Sequence, residues 1–153
     1  MNFSERYRFA DWPNQAIPLV AAGTYAIWDK DLLVYCGMSG RRIEKAIEEG
    51  KKKYGLITRL NSHASGRLSG DQFCVYVANR LVIPTLSKDD LPKFRDGELR
   101  LDTLTKKYIR DRLDYQYRLT DSSRAAYETE SLARCGETFG VKPLLNPLGI
   151  GGS

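Results

Sequence analysis

Apolar and polar positions divide the chain into short elements bounded by glycine, proline and small polar clusters. Residues 1–17 carry no sustained period, and Trp12-Pro13-Asn14 reads as a turn. Two runs rich in aromatic and β-branched residues follow, Gly23-Thr24-Tyr25-Ala26-Ile27-Trp28 and Leu32-Leu33-Val34-Tyr35-Cys36-Gly37. With Asp29-Lys30-Asp31 between them, they predict the two strands of a hairpin. Ser39 is then a candidate helix N-cap, and Ile43, Ala46 and Ile47 form a short apolar stripe, so a helix is expected to run to Gly50. A second helix is predicted over 56–64, with Ile57 and Leu60 facing inward. Phe73-Cys74-Val75-Tyr76-Val77 reads as a strand, which Leu81-Val82-Ile83 extends or follows and Pro84 stops. Residues 87–102 are loop-rich, 104–113 predict a helix, and 115–120 alternate as a further strand. Asp121-Ser122-Ser123 caps a last helix to Arg134, whose inward face is expected to hold Ala125, Leu132 and Cys135.

This order gives an α+β fold, a small central and mostly antiparallel sheet flanked by helices. At 153 residues, one domain over 1–153 is expected. No repeat or low-complexity tract interrupts it. Hydrophobic residues at 42% and charged residues at 28% fit a folded soluble chain rather than a disordered one. No apolar run approaches the ~18–20 residues of a membrane span, so no membrane partner is expected. No apolar stretch follows the first charges, so no secretory signal is expected either. Cys36, Cys74 and Cys135 are odd in number and widely spaced, and His63 is the one histidine. That excludes a disulfide framework and a structural zinc site, and predicts reduced thiols in a cytoplasmic protein.

Charge is concentrated. Between Met38 and Arg67 lie eight basic and three acidic residues, which carry the whole net charge of +5; the remainder is neutral. A basic segment on a neutral body suits a polyanion, and equally suits a solvated helix face, since Glu48–Lys52 and Glu49–Lys53 are favourable i,i+4 pairs.

Gly23-Thr24-Tyr25, followed ten residues later by Tyr35-Cys36-Gly37, resembles the paired triplets of the GIY-YIG nucleases, with Thr24 and Cys36 at the two middle positions. The resemblance continues through Gly37-Met38-Ser39, Arg59-Leu60-x-x-His63, an acidic late helix and Pro143-x-x-Asn146, spanning roughly 23–146. It implies a core over 18–146 with an insertion of about forty residues (78–116) before the last strand and helix. The activity it implies is metal-dependent hydrolysis of DNA phosphodiester bonds.

The chemistry needs a group to activate water, a cation for the developing phosphate charge and help for the leaving oxygen. Tyr25 and Tyr35, on adjacent strands, can converge at one spot on the sheet and activate or orient the water. Arg59 and His63 are spaced i,i+4 on one helix face. The resemblance implies Arg59 on the scissile phosphate, and His63 as a second phosphate donor or a proton shuttle. It also implies a single Mg²⁺, or Mn²⁺, on a glutamate of the last helix. Glu128 and Glu130 lie ~200° apart there and cannot both face a site. Glu128 shares its face with Leu132 and Cys135 and is the expected ligand, with Glu130 the alternative. Gly23, Gly37, Ser39 and Asn146 are supporting residues. Arg41, Arg42, Lys51, Lys52, Lys53 and Arg67 are candidates to hold flanking phosphates, contacts that position DNA without reading its sequence.

With no separate DNA-binding domain visible, a stand-alone restriction or defence enzyme fits, as does a repair nuclease taking specificity from a protein partner. One such site cuts one strand, so double-strand cleavage requires a homodimer or sequential nicking. The alternative is a non-catalytic nucleic-acid-binding or partner-binding module on the same fold.

Overall fold

A computed structural model describes residues 2–147 of the chain. Its sheet is built on the expected hairpin. Strand β2 (Val20–Asp29) turns through Lys30 and Asp31 into β3 (Leu32–Ser39). β2 is flanked on its other side by β5 (Asp114–Thr120), also antiparallel, and β5 carries the two-residue β1 (Tyr7–Arg8). The order is β1-β5-β2-β3, and a short β4 (Tyr54–Gly55) pairs with β2 in parallel. Across the hairpin Tyr25 pairs with Gly37 and Ile27 with Tyr35. The next pair is Trp28 with Leu33, so Val34 is the extra residue of a bulge.

Helices cover both faces. On one lie α2 (Leu56–Ser65), α3 (Gln72–Val77) and α5 (Leu101–Arg112), closing over Tyr25, Ile27, Val34, Leu60, Phe73, Ile109 and Tyr115. On the other lie α1 (Ile43–Glu48) and α6 (Ser123–Arg134), against Ala22, Ala26, Trp28, Leu33 and Cys36. The insertion before β5 is helical. It comprises a π-helical turn (Ala78–Val82), a 3-10 turn (Ile83–Thr85), α4 (Leu91–Arg95) and α5, and it ends at Leu113; residues 114–116, expected within it, belong to β5. No helix among the described residues is long and apolar enough to cross a membrane.

Three local expectations are corrected. Phe73-Cys74-Val75-Tyr76-Val77 is helical, and Leu81-Val82-Ile83 continues it as turns rather than as a strand. The buried positions Phe73, Cys74, Val77, Ala78 and Val82 follow a helical spacing, and this packing overrides the β-propensity of the run. Ser39 ends β3 opposite Gly23 instead of capping a helix; α1 begins at Ile43 and leaves Ile47 exposed. In α6 the Ser122 cap forms as expected, Oγ accepting from the Ala125 N–H at 3.0 Å, but the buried face is Ala126, Thr129 and Ala133. These small side chains let α6 lie close on β2, where Thr24 Oγ1 donates to the Ala126 carbonyl at 2.8 Å. Leu132 and Cys135 therefore face outward.

Candidate active site

Gly55 places α2. Its φ of +111° and its contact with the Ala21 carbonyl leave no room for a Cβ, and Thr58 closes the first turn by bonding the Gly55 main chain. From that start, Leu56, Ile57 and Leu60 face the sheet and carry His63 to the same side, over the hairpin. Tyr25 reaches the same region because Gly37 lies directly opposite it; a Cβ at 37 would collide with the phenol. Gly23, likewise, lies against the Arg118 carbonyl of β5 with no room for a side chain.

A cleft of about 330 Å³ results. Its walls come from both helical layers: Arg59 and His63 of α2 and Phe73 of α3, then Glu130 and Arg134 of α6, with Tyr35, Gly37 and Met38 of edge strand β3 between them. Tyr25 and Arg41 also line it. Tyr25 and Tyr35 do converge, with ring centroids 6.3 Å apart.

Behind the cleft runs a hydrogen-bonded chain that the sequence did not announce. Tyr25 Oη is 2.7 Å from His63 Nε2, and His63 Nδ1 is 2.7 Å from Asp71 Oδ2. All three residues are 2% exposed. The His63 ring lies against Phe73 and edge-on to Tyr35. Burial holds its pKa below the ordinary histidine range, against the pull of Asp71. Burial also acts to raise Asp71, but hydrogen bonds from His63, Ser62 and the Cys74 N–H outweigh it and bring the carboxyl to about 2. The pair is thus a neutral imidazole on a carboxylate. Both ring nitrogens are engaged, so His63 has no N–H for a phosphate; of its two expected roles, the geometry suits the proton shuttle.

Burial raises Tyr25 well above the ordinary phenol value, and Tyr35 to about 12 with Glu130 adding to the effect. Neither exists as a free phenolate at neutral pH. Tyr25, unlike Tyr35, has a base within hydrogen-bonding distance.

The expectation for the glutamate is corrected. Glu128 is exposed and paired with Arg124 at 3.0 Å on the outer face of α6, outside the cleft lining. Glu130 is the one that faces Tyr35, because the helix buries its alanine and threonine stripe. Burial raises its pKa and Arg134 opposes this. Arg134 Nη1 lies 3.5 Å from its Oε1, and the Met38 main chain also favours the ionised carboxylate. No group of three or more His, Cys, Asp or Glu among the described residues is arranged to hold a metal ion. A single carboxylate with water and phosphate oxygens completing the shell is a donor set that suits Mg²⁺ or Mn²⁺.

Arg59 is exposed in the cleft and pairs with no carboxylate among the described residues. Of the residues expected to hold flanking phosphates, Arg41 lines the cleft. Arg42, Lys51, Lys52, Lys53 and Arg67 are exposed but lie outside its lining. Lys51 sits over the Tyr54 ring. Asn146 is buried and bonds both main-chain groups of Cys36 at 2.8 Å, extending the contact of Leu144 and Leu145 with β3. It braces the strand between Tyr35 and Gly37.

Sequence reasoning missed Asp71 and Arg134. Asp71 carried a usable signal, an aspartate three residues before the Cys74 N–H it caps, which the reading of 73–77 as a strand concealed. No family model matches the chain, and neither a curated protein nor a solved structure does.

Proposed function

We propose that the chain is a metal-dependent endonuclease that hydrolyses DNA phosphodiester bonds, of the kind its GIY-YIG-like triplets imply. The observation that carries this reading is the convergence of Tyr25, Tyr35, Arg59, His63 and Glu130 on one cleft from four separate elements. The buried Tyr25–His63–Asp71 chain ending in that cleft offers a route for a proton, which supports catalysis over binding alone.

Tyr25 takes a proton from the attacking water as its own passes to His63 Nε2. The transfers run together, because burial makes an isolated phenolate costly. The water oxygen bonds to phosphorus and the opposite ester oxygen leaves with the bonding pair. The imidazolium formed is stabilised by Asp71 behind it. Arg59 forks onto the non-bridging oxygens, where charge accumulates, and Arg41 supports the same phosphate or its neighbour. Tyr35 stays protonated and orients the water. Glu130 is the residue that would hold Mg²⁺ or Mn²⁺, which when bound supplies Lewis-acid stabilisation of the phosphate.

Plasmid cleavage with Mg²⁺, Mn²⁺ or EDTA tests this. Metal-dependent cutting that Arg59→Ala and Glu130→Ala abolish and Glu128→Ala preserves is the expected result. Gel-shift binding without cleavage under any metal condition overturns it in favour of the non-catalytic binding module.

A further inference from the structure

We propose that Asp71 is a positioning residue that dictates which nitrogen of His63 carries the proton, and thereby makes Tyr25 a donor toward His63 rather than an acceptor from it. Its consequence for catalysis rests on the nuclease reading above; the tautomer itself is a property of the folded chain.

The two oxygens of Asp71 have separate tasks. Oδ1 accepts the Cys74 N–H at 3.0 Å and caps α3. Oδ2 accepts from Ser62 Oγ at 2.6 Å and faces His63 Nδ1 at 2.7 Å. A carboxylate can only accept, so Nδ1 must bear the hydrogen. The neutral ring then presents a bare Nε2 to Tyr25 Oη, and the phenol proton points at it. The direction of both hydrogen bonds follows from the one group in the chain that cannot donate. The other groups around the ring do not compete for this choice. Tyr25 of β2 and Tyr35 of β3 are protonated phenols, Phe73 of α3 is apolar, and Arg59 of α2 donates only. Asp71 sits behind the imidazole, so it acts through His63.

Replacing this carboxylate by its amide has a defined outcome. In Asp71→Asn the carbonyl oxygen must stay on the Cys74 N–H, because an NH₂ group there would set donor against donor. The NH₂ then occupies the place of Oδ2. It donates one hydrogen to His63 Nδ1 and the other to Ser62 Oγ, whose hydroxyl can rotate to accept. Nδ1 becomes the bare nitrogen and Nε2 the N–H. Tyr25 keeps a hydrogen bond to the ring, but with its direction reversed, and has nowhere to send a proton.

His63 is the one histidine in the chain, so a long-range ¹H–¹⁵N correlation on protein labelled at histidine reports this ring alone. At neutral pH the wild type is expected to show a protonated Nδ1 and a bare Nε2, and Asp71→Asn the reverse. DNA cleavage by Asp71→Asn is expected to fall by about 10²–10⁴-fold. Its thermal midpoint is expected to fall, since the carboxylate's charge-assisted bonds are lost, while the kept α3 cap preserves a cooperative folded state. An Nε2–H tautomer in the wild type overturns the proposal, as does an inverted tautomer with an unchanged cleavage rate. If Asp71→Asn does not fold, Asp71→Ser keeps the cap but cannot reach Nδ1. It is expected to show both tautomers, and a pure Nδ1–H form there overturns the proposal. A wild type that cuts no DNA removes the nuclease reading, and the tautomers alone then decide the role of Asp71.

Discussion

The hydroxyl of Tyr25 occupies the space that a Cβ on Gly37, its cross-strand partner, would fill. The two glycine-tyrosine triplets are therefore one device. The second triplet's glycine is the clearance that lets the first triplet's tyrosine lie across the strand and reach His63.

Gly37→Ala tests that clearance. The phenol is buried and cannot swing freely, so the added methyl displaces it or the strand. Overpacking of this kind costs about 1–3 kcal/mol. The expected result is a lowered urea midpoint together with a changed His63 signal, as the 2.7 Å contact with Tyr25 is broken.

Tyr25→Phe removes the hydroxyl and leaves the ring in place. His63 Nε2 loses its partner in a buried site, at a cost of about 1–3 kcal/mol. Cleavage is expected to drop by about 10²–10⁴-fold. Tyr35→Phe, lacking an adjacent base, is expected to lose less. Single-turnover rates on a short duplex compare the two.

The glutamates separate by stability as well as by activity. Glu128 forms an exposed pair with Arg124, so Glu128→Gln is expected to change stability by under about 0.5 kcal/mol and to leave cleavage intact. Glu130→Gln is expected to abolish cleavage at every Mg²⁺ concentration tried. Equal rates for both variants would contradict the assignment.

The pH dependence of stability follows from the buried pair. His63 has a folded pKa below its ordinary 6.5, so the unfolded chain takes up the proton first. Its contribution is complete above about 6.5 and declines as pH falls below that. Asp71, at about 2 in the fold against 3.8 normally, contributes above 3.8 and loses that contribution as pH falls toward about 2. Tyr25 and Tyr35 are raised, so their contribution is present below pH 10 and lost as pH rises beyond it. Thermal midpoints are expected to fall from pH 6.5 downward, and this initial slope should flatten in His63→Gln.

Asn146→Ala deletes two buried hydrogen bonds to Cys36 and strands both of its main-chain groups. A loss of about 2 kcal/mol or more is expected in chemical denaturation. Cleavage is expected to weaken through movement of Tyr35 and Gly37, without loss of any reacting group.

By itself the sequence determined the hairpin of β2 and β3, helix α2, the Ser122 cap of α6 and the α+β order, through signals that act within a few residues: alternation, turn composition, capping and apolar spacing. The candidates Tyr25, Tyr35, Arg59 and His63 came instead from the resemblance of the two triplets and the Arg59–His63 motif. Tertiary structure decided the rest. A five-residue apolar run such as Phe73–Val77 satisfies both a strand and a helix period, and its burial against α2 and α5 selected the helix. The period of α6 was legible, but its phase depended on which surface it lay against. Ala126, Thr129 and Ala133 fit closely on β2, and that contact turned Glu130 rather than Glu128 into the cleft. Asp71 and His63 meet because the turn between α2 and α3 folds back on itself. A hydrogen bond across such a turn depends on where two helices are set in space, which no local pattern in the chain encodes.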